Sequence, residues 1–271
     1  MRNQLNQNLS TFFHLHPVFT RVEVVRFLAD RGTTHSGTVD SLLRHHLGRG
    51  RILRIRKELY ASVPPGTSPE NSPIDPFLVA SRAQEGAVIS YHSALEVHGL
   101  AYSTFEVFQY VGLKPGTPWT WRSLRFRPVT TPLALVRREQ PRWGVVEVDR
   151  QGLNLDVTDL ERTFVDVLDR PDLGGGWEEI WRSLESLRFL DLERVLAYVR
   201  LLENASTAAR VGFYLEQHQE ALRVKDSDLL ALEGLRPKQV QYLDRRMGGR
   251  FAKRWNLIVP EAVWQRSWEE S

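Results

Sequence analysis

Cationic side chains are concentrated between Arg44 and Lys57, where they alternate with aliphatic residues in the stretch RHHLGRGRILRIRKELY. Phosphate oxygens of nucleic acid are bound by cations, and base edges are read by the forked donors of arginine. An ordinary charged surface is the alternative, but such a surface would not require cations to alternate with aliphatic residues. The stretch therefore predicts DNA contacts from seven side chains, which are Arg44, His45, Arg49, Arg51, Arg54, Arg56 and Lys57.

A second basic cluster lies near the end of the chain and includes the aromatic residues Phe251 and Trp255. Such a cluster can grip a phosphate backbone or stack on an exposed base. A basic hairpin with buried aromatic side chains explains the same pattern equally well. We therefore rank its cations second, as part of a DNA-binding surface or of a surface for another activity of the chain; they are Arg245, Arg246, Arg250, Lys253 and Arg254.

A metal site is suggested by His92 and Glu96, which are four residues apart and share one face of a helix. No third ligand is apparent, because His98 points elsewhere and precedes a glycine that ends the helix. We predict structural histidines and no bound metal. The alternative function with a bound metal is a metal-dependent nuclease that uses His92, Glu96 and the acidic residues further along the chain.

Two other patterns fall short of an enzyme site. Gly174 to Gly176 lacks the lysine of a phosphate-binding loop and follows no strand, so we predict a flexible loop. Asp159, Glu161 and Asp166 do not converge with a lysine as a nuclease site requires, so we predict a solvated acidic face. We therefore expect no catalytic residues and no cofactor.

The charge distribution favours a polyanionic partner. The chain has a formal net charge of +3, but residues 1–62 contain 10 Lys and Arg against 4 Asp and Glu. Residues 151–235 contain 9 Lys and Arg against 17 Asp and Glu. A protein with a basic end and an acidic middle can present a focused positive face while staying nearly neutral overall. Nucleic acid is the expected partner.

Composition argues against membrane-spanning, exported and cysteine-dependent classes of protein. No apolar run is long enough to cross a bilayer, and the first residues are too polar for a signal peptide. The sequence has no cysteine, which excludes disulfides and thiol chemistry. We expect a cytoplasmic protein without a membrane partner.

The residues around the basic stretch predict a winged helix-turn-helix domain over residues 1–62. Thr20 and Glu23 are spaced as a capping box, and Gly32 is expected to end the helix that they begin. The apolar face of that helix is predicted to hold Val22, Val25, Phe27 and Leu28. A following helix has its apolar face at Val39, Leu42, Leu43 and His46 or Leu47, and a hairpin with a charged tip comes next.

The rest of the chain completes an α+β protein. Residues 63–76 are rich in proline and glycine and predict a linker. Residues 77–157 predict a mixed α/β region, with Ser90 as the cap of a helix and, after it, four strands separated by turns rich in Gly, Pro and Trp, among them the segment WTW. Residues 158–271 predict a helical region closed by a small sheet, with Thr158 and Glu161 as a second capping box.

These blocks together resemble AbiEi-type antitoxins, the DNA-binding partners of type IV toxin-antitoxin and abortive-infection systems. The resemblance runs from about Phe19 to Trp268, and it is most specific in LERTFVD and YHSALEVHGL. It is also carried by GRGRILRIRKELYA, ARVGFYLEQH and RWNLIVP. Where the family's wing turn commonly has glycine, this chain has Glu58.

The resemblance implies two activities. Residues 1–62 would repress the protein's own operon by binding double-stranded DNA at inverted repeats in the promoter. The remaining residues would counteract a nucleotidyltransferase-like toxin without forming a stable complex with it. The sequence lacks the Gly-Ser and paired-aspartate arrangement of such a toxin. The alternative from the binding class is a winged-helix regulator whose larger domain senses a small ligand in a pocket lined by aromatic residues.

Overall fold

The computed structural model describes residues 2–31 and 36–268 and shows an α+β protein with three sheets. Its helices are α1 (Arg2–Leu15), α2 (Arg21–Ala29), α3 (Ser36–Gly48), α4 (Pro76–Ser81), α5 (His92–Val97), α6 (Leu133–Arg137), α7 (Leu160–Asp169), α8 (Trp177–Leu184), α9 (Leu192–Leu202), α10 (Ala205–Gln217), α11 (Asp226–Glu233) and α12 (Glu261–Gln265). Its strands are β1 (Val18–Thr20), β2 (Ile52–Arg56), β3 (Leu59–Ser62), β4 (Val88–Ile89), β5 (Val107–Gly112), β6 (Trp119–Trp121), β7 (Leu124–Thr130), β8 (Val145–Arg150), β9 (Leu153–Thr158), β10 (Gln241–Tyr242), β11 (Arg250–Ala252) and β12 (Leu257–Val259).

The N-terminal elements enclose an apolar cluster of their own. Helix α1 was not expected from its polar sequence, yet it buries Leu9, Phe12 and Phe13 in an apolar cluster with residues of β1, α2 and α3. The capping box of Thr20 and Glu23 is present and begins α2. The predicted inner face of α2 was partly wrong, because Val22 is 49% exposed and Val24 is buried instead. Gly32, which was expected to end α2, lies outside the described residues.

The hairpin of β2 and β3 joins a sheet in the order β1-β3-β2, and all its pairs are antiparallel. Side chains three residues apart on a strand lie on opposite faces, and a bulge between Arg54 and Arg56 shifts the pairing of β2 with β3. Ile52 therefore packs with the N-terminal helices, whereas Ile55 packs with Phe77 beside the central sheet. Because both faces of the hairpin are buried in part, its register is strongly specified.

Glu58, in the turn between β2 and β3, takes a backbone conformation that glycine commonly supplies. Its φ of 63° is in the left-handed region, which costs a residue with a Cβ on the order of 1 kcal/mol. The Glu58 carbonyl accepts a hydrogen bond from the backbone N–H of Arg21 at 2.9 Å. The turn is therefore fixed to the start of α2 despite the absence of glycine.

The central sheet has six strands in the order β6-β7-β5-β4-β9-β8. It is mixed, since β5 runs parallel to β7 and β4 runs parallel to β9, while the other pairs are antiparallel. Strand β6 was not predicted, because its sequence WTW had been assigned to a turn. Helix α4 covers one face with Phe77 to Ala80, and this face continues into the hairpin of β2 and β3.

The C-terminal half packs α7 to α11 with a small sheet in the order β10-β12-β11. Helix α11 and strand β11 were not predicted. Of the three glycines expected in a flexible loop, Gly174 and Gly175 are closely packed: a Cβ at Gly174 would lie 2.7 Å from Ile180. A Cβ at Gly175 would lie equally close to Glu179, whereas a Cβ at Gly176 would meet nothing within 4 Å. The expectation of a flexible loop was therefore wrong for the first two glycines.

Two helix starts differ from those expected. Helix α5 begins after Tyr91 and not after Ser90, which is buried before it. Helix α7 is capped by Asp159, whose carboxylate accepts from the backbone N–H of Arg162 at 2.8 Å, whereas Thr158 ends β9. Of the helices within the described residues, none combines the length and apolar character that crossing a bilayer demands.

Candidate nucleic-acid interface

Helix α3 presents two of the predicted contact residues on its outer face. Arg44 and His45 are exposed, whereas Val39, Leu42 and Leu43 are buried on the opposite side. The orientation of α3 is fixed by an ion pair between Arg21 Nε of α2 and Asp40 Oδ1 of α3 at 2.7 Å. The Arg21 guanidinium lowers the pKa of Asp40 through this hydrogen bond. The outer face of α3 is therefore held in place by packing and by a charge pair.

The remaining predicted cations follow α3 directly. Arg49 and Arg51 are exposed in the turn that leads into β2, and Arg54 and Lys57 are exposed on the hairpin. Arg56 is also exposed, but its guanidinium carbon lies 4.8 Å from the centre of the Trp119 ring of β6. Arg56 therefore contacts the central sheet, and no sequence pattern predicts this pairing, because Trp119 is more than 60 residues away along the chain.

Within residues 2–31 and 36–268, these cations have no carboxylate partner. Among the described residues, no Asp or Glu oxygen lies within 4.0 Å of a charged nitrogen on the residues of α3 and the hairpin that were predicted to bind DNA. The exposed side chains concerned are Arg44, Arg49, Arg51, Arg54, Arg56 and Lys57. Arg44 Nε donates only to the backbone carbonyl of Asp40, at 3.3 Å. We call this set the N-terminal basic surface.

The C-terminal basic cluster is largely neutralised. Arg254 pairs with Glu216 and Glu233, both at 3.0 Å. Arg246 lies 3.4 Å from Asp244, and Arg250 lies 3.8 Å from Glu261. Arg245 and Lys253 are exposed without an ion pair to a described carboxylate. Of the two aromatic residues, Trp255 is buried while Phe251 is exposed.

His92 is enclosed by protein groups. Its Nδ1 lies 3.1 Å from Glu96 Oε1 and its Nε2 lies 3.0 Å from Glu179 Oε1. The ring is fully buried and stacks on Phe105 at 3.8 Å between ring centres. Although burial favours a neutral carboxyl, the Ser103 N–H and the His92 ring lower the pKa of Glu179. The described part of the chain contains no group of three or more side chains placed to hold a metal ion.

The expected solvated acidic face was wrong for its central residues. Asp159 and Asp166 are buried, and Asp166 lies 3.3 Å from Nε of the buried Arg162. The Tyr198 hydroxyl donates to Asp166 Oδ1 at 2.6 Å. Burial raises the pKa of Asp166 to about 6, even though Arg162 and Tyr198 favour its ionised form. These carboxylates therefore stabilise the core of α7 and α9.

His46 supports α3 from inside. It is fully buried, its ring meets Phe13 edge-on at 4.9 Å between centres, and neither ring nitrogen has a hydrogen-bond partner. Burial, followed by the nearby charges of His45, Arg51 and Arg49, lowers its pKa to about 4. His46 is therefore neutral at neutral pH and adds no charge to the N-terminal basic surface.

This burial predicts a loss of stability in acid. Below the ordinary pKa of 6.5 the unfolded chain binds a proton at His46, but the folded chain does not until about pH 4. Stability is therefore lost as the pH falls from 7 to 4, by at most about 3 kcal/mol. We expect the free energy of unfolding of His46→Leu, measured in urea, to fall less between pH 7 and pH 4 than that of the wild type. The difference between the two proteins should be at most about 3 kcal/mol.

The wild type must be compared with the variant because Asp166 titrates in the same pH range and changes the stability in the opposite direction. Its raised pKa makes the folded state bind a proton first, so its contribution to stability falls as the pH rises toward 6. This contribution is common to both proteins and cancels in the difference. Equal acid sensitivity of His46→Leu and wild type would show that His46 is protonated in the folded state.

Comparisons with known proteins show a likeness of fold. No protein-family model matches the chain, and no curated protein matches it. The structure is similar to the crystal structure of the RV2827C protein from Mycobacterium tuberculosis, with a TM-score of 0.58 and 19% sequence identity. The match covers 96% of this chain and 92% of that chain. The arrangement of helices and sheets is therefore shared over nearly the whole length of both proteins.

Proposed function

We propose that the chain is a DNA-binding antitoxin of a type IV toxin-antitoxin system, which represses its own operon and counteracts a nucleotidyltransferase-like toxin. In this proposal α2, α3 and the hairpin of β2 and β3 form a winged helix-turn-helix. Helix α3 enters the major groove with Arg44 and His45, while the hairpin places Arg54 and Lys57 along the adjacent backbone. Binding at inverted repeats brings two copies of the chain to one operator.

The DNA-binding half of the proposal rests on one difference between the two basic regions, which is whether their cations have carboxylate partners. A cation that already has a carboxylate partner must give up that interaction before it binds a phosphate. The cations of the N-terminal basic surface have no such partner among the described residues, so binding there releases only counterions. Three of the five C-terminal cations have partners. The N-terminal basic surface is therefore the better DNA-binding site.

The antitoxin half is supported by the sequence resemblance. The two most specific blocks contribute mainly buried residues, since LERTFVD lies in α7 and YHSALEVHGL surrounds α5. In this proposal they maintain the shape of the protein, and the surface that opposes the toxin is formed by exposed residues of the central and C-terminal elements. We assign no catalytic residue.

DNA binding can be tested by fluorescence anisotropy with a labelled duplex from the upstream region and a scrambled duplex of equal length. We expect preferential binding of the upstream duplex and a steep loss of affinity with added salt. Equal affinity for the two duplexes at moderate salt would contradict operator recognition.

The antitoxin half predicts that an adjacent gene encodes a nucleotidyltransferase-like protein, and it can be tested by expressing the full chain together with the product of that gene. We expect the wild type to restore growth, and a full-length variant with a neutralised N-terminal basic surface to restore growth without repressing the promoter. The intact chain is preferable to a fragment, because Ile55 and Leu59 share an apolar cluster with Phe77. Failure of the wild type to restore growth would contradict this half of the proposal.

A further inference from the structure

A cleft of about 380 Å³ opens in the half of the protein that the proposed DNA contacts do not use. It lies where the end of β7, helix α6 and the turn between α9 and α10 approach the start of α5. The polar residues that matter for its chemistry are Tyr91, Thr130, Arg137, Arg138, Arg170 and Asn204. Its volume is in the range of pockets that hold small ligands.

Tyr91 is the most unusual residue of this cleft. Its backbone has φ 55° and ψ −134°, a region that residues with a Cβ rarely adopt and that costs on the order of 1–3 kcal/mol. Its side chain is only 2% exposed, and its ring belongs to the same apolar cluster as Val111, Val129 and Leu135. Because the ring is enclosed by apolar groups, the hydroxyl is the part that reaches the cleft.

The Tyr91 hydroxyl is available to a ligand. It has no hydrogen-bond partner among the described residues, although nearly all of the side chain is buried. Burial raises the pKa of Tyr91, so the hydroxyl keeps its proton and remains a donor at neutral pH. The hydroxyl is not among the fully buried polar atoms that lack a partner, so it is open to the cleft, and a ligand oxygen that accepts its hydrogen bond takes the place of water there.

The charged groups of the cleft leave a positive excess. The Asp169 carboxylate already accepts from Asn204 Nδ2 at 2.8 Å and from the Thr207 hydroxyl. Glu203 pairs with Arg138. Arg137 is exposed and has no ion pair to a described carboxylate.

Arg170 adds to this excess. It is exposed, and its guanidinium is 3.8 Å from Asp172, which lies outside the cleft lining, so Arg170 must give up this contact before it binds an anion. The cleft therefore combines one free hydroxyl donor with the unpaired guanidinium of Arg137, and Arg170 is a second guanidinium that can exchange Asp172 for an anion.

We propose that this cleft binds a phosphate monoester of about mononucleotide size, with Tyr91, Arg137 and Arg170 as donors to its phosphate group. A guanidinium presents parallel N–H donors that match phosphate oxygens in pairs. The tyrosine hydroxyl adds a donor from the floor of the cleft. The rest of the ligand lies against the apolar lining formed by Pro132, Leu133 and Leu202.

Isothermal titration calorimetry of the full chain with nucleoside 5′-monophosphates and with inorganic phosphate tests this proposal. We expect at least one nucleotide to bind, with inorganic phosphate as a weaker competitor for the same site. Tyr91→Phe removes only the hydroxyl and is expected to weaken binding by about 10-fold. Arg137→Gln is expected to weaken binding by at least about 10-fold, because it removes a charged donor. Arg125→Gln removes an exposed arginine elsewhere on β7 and should leave binding unchanged.

The alternative location for bound phosphate is the N-terminal basic surface, so its four-residue variant Arg49→Gln, Arg51→Gln, Arg54→Gln and Lys57→Gln is a further control. This variant should retain nucleotide binding even if DNA binding is lost. Tyr91→Phe should keep the thermal stability of the wild type, since its hydroxyl makes no internal hydrogen bond. Absence of binding at millimolar ligand, or equal affinity of Tyr91→Phe and wild type, would overturn the proposal.

Discussion

Replacing Arg49, Arg51, Arg54 and Lys57 together by glutamine is expected to weaken binding to the upstream duplex by about 10²- to 10³-fold at low salt. It should also reduce the slope of log affinity against log salt by about four, since each lost phosphate contact lowers the slope by about one. Arg56 is left unchanged because it lies over Trp119, and its removal would disturb the contact between hairpin and central sheet. Fluorescence anisotropy over a series of salt concentrations measures both quantities.

The matched control is the replacement of Arg245, Arg246, Arg250 and Lys253 by glutamine, which removes the same number of positive charges. Arg246 and Arg250 already have carboxylate neighbours, so this variant should bind within about twofold of wild type and with an unchanged salt slope. Equal losses in both variants would mean that net charge, not a specific surface, controls binding. An unchanged affinity in the first variant would remove the hairpin from the interface.

The features that the sequence predicted correctly depend on neighbours along the chain. The capping box of Thr20 and Glu23 needs only residues three apart, and both of its hydrogen bonds are present. The hairpin between β2 and β3 follows from two β-rich segments around a short charged turn. Strands β5, β7, β8 and β9 and helices α7 to α10 were expected for the same reason, since their periodicity is local.

The features that could not be predicted from the sequence depend on contacts between distant segments. Helix α1 has many polar residues, and its Leu9 and Phe12 find an apolar surface only where β1, α2 and α3 come together. The inner face of α2 was misassigned at Val22 because the position of α3 selects which side is covered. Trp119 was placed in a turn, although its ring stacks on Phe126 at 4.2 Å and receives Arg56. No local pattern contains this information.

The buried charges of α7 show the same limit most clearly. Arg162 and Asp166 are four residues apart, which is equally typical of an exposed helical ion pair. Burial became evident only from Tyr198, which is 32 residues further along the chain and binds Asp166. The Arg162 Nη1 also donates to the Trp143 carbonyl at 2.6 Å. The block LERTFVD is therefore a structural centre that joins α7 to α9 and to the turn before β8.

Removing one partner of this pair is expected to have the largest effect on stability. In Asp166→Ala the Arg162 guanidinium stays buried without its counter-charge, and Tyr198 loses its acceptor. We expect the free energy of unfolding to fall by about 3–5 kcal/mol, because the desolvation penalty of Arg162 is no longer offset. Urea unfolding of the full chain measures this loss. Asp172→Ala, which breaks an exposed contact to Arg127 at 3.3 Å, should cost less than about 1 kcal/mol.

A double variant separates the charge from the packing. Arg162→Met combined with Asp166→Leu removes both charges and fills the space with apolar groups, so no unpaired ion remains in the core. Its loss of stability should be smaller than the loss in Asp166→Ala alone, and the two sites should be strongly non-additive. If the double variant is instead the least stable, the pair contributes through its geometry with Trp143 and Tyr198 and not through charge compensation. In that case α7 is positioned mainly by its hydrogen bonds, and a loss of 3–5 kcal/mol in the single variant would have to be assigned to them.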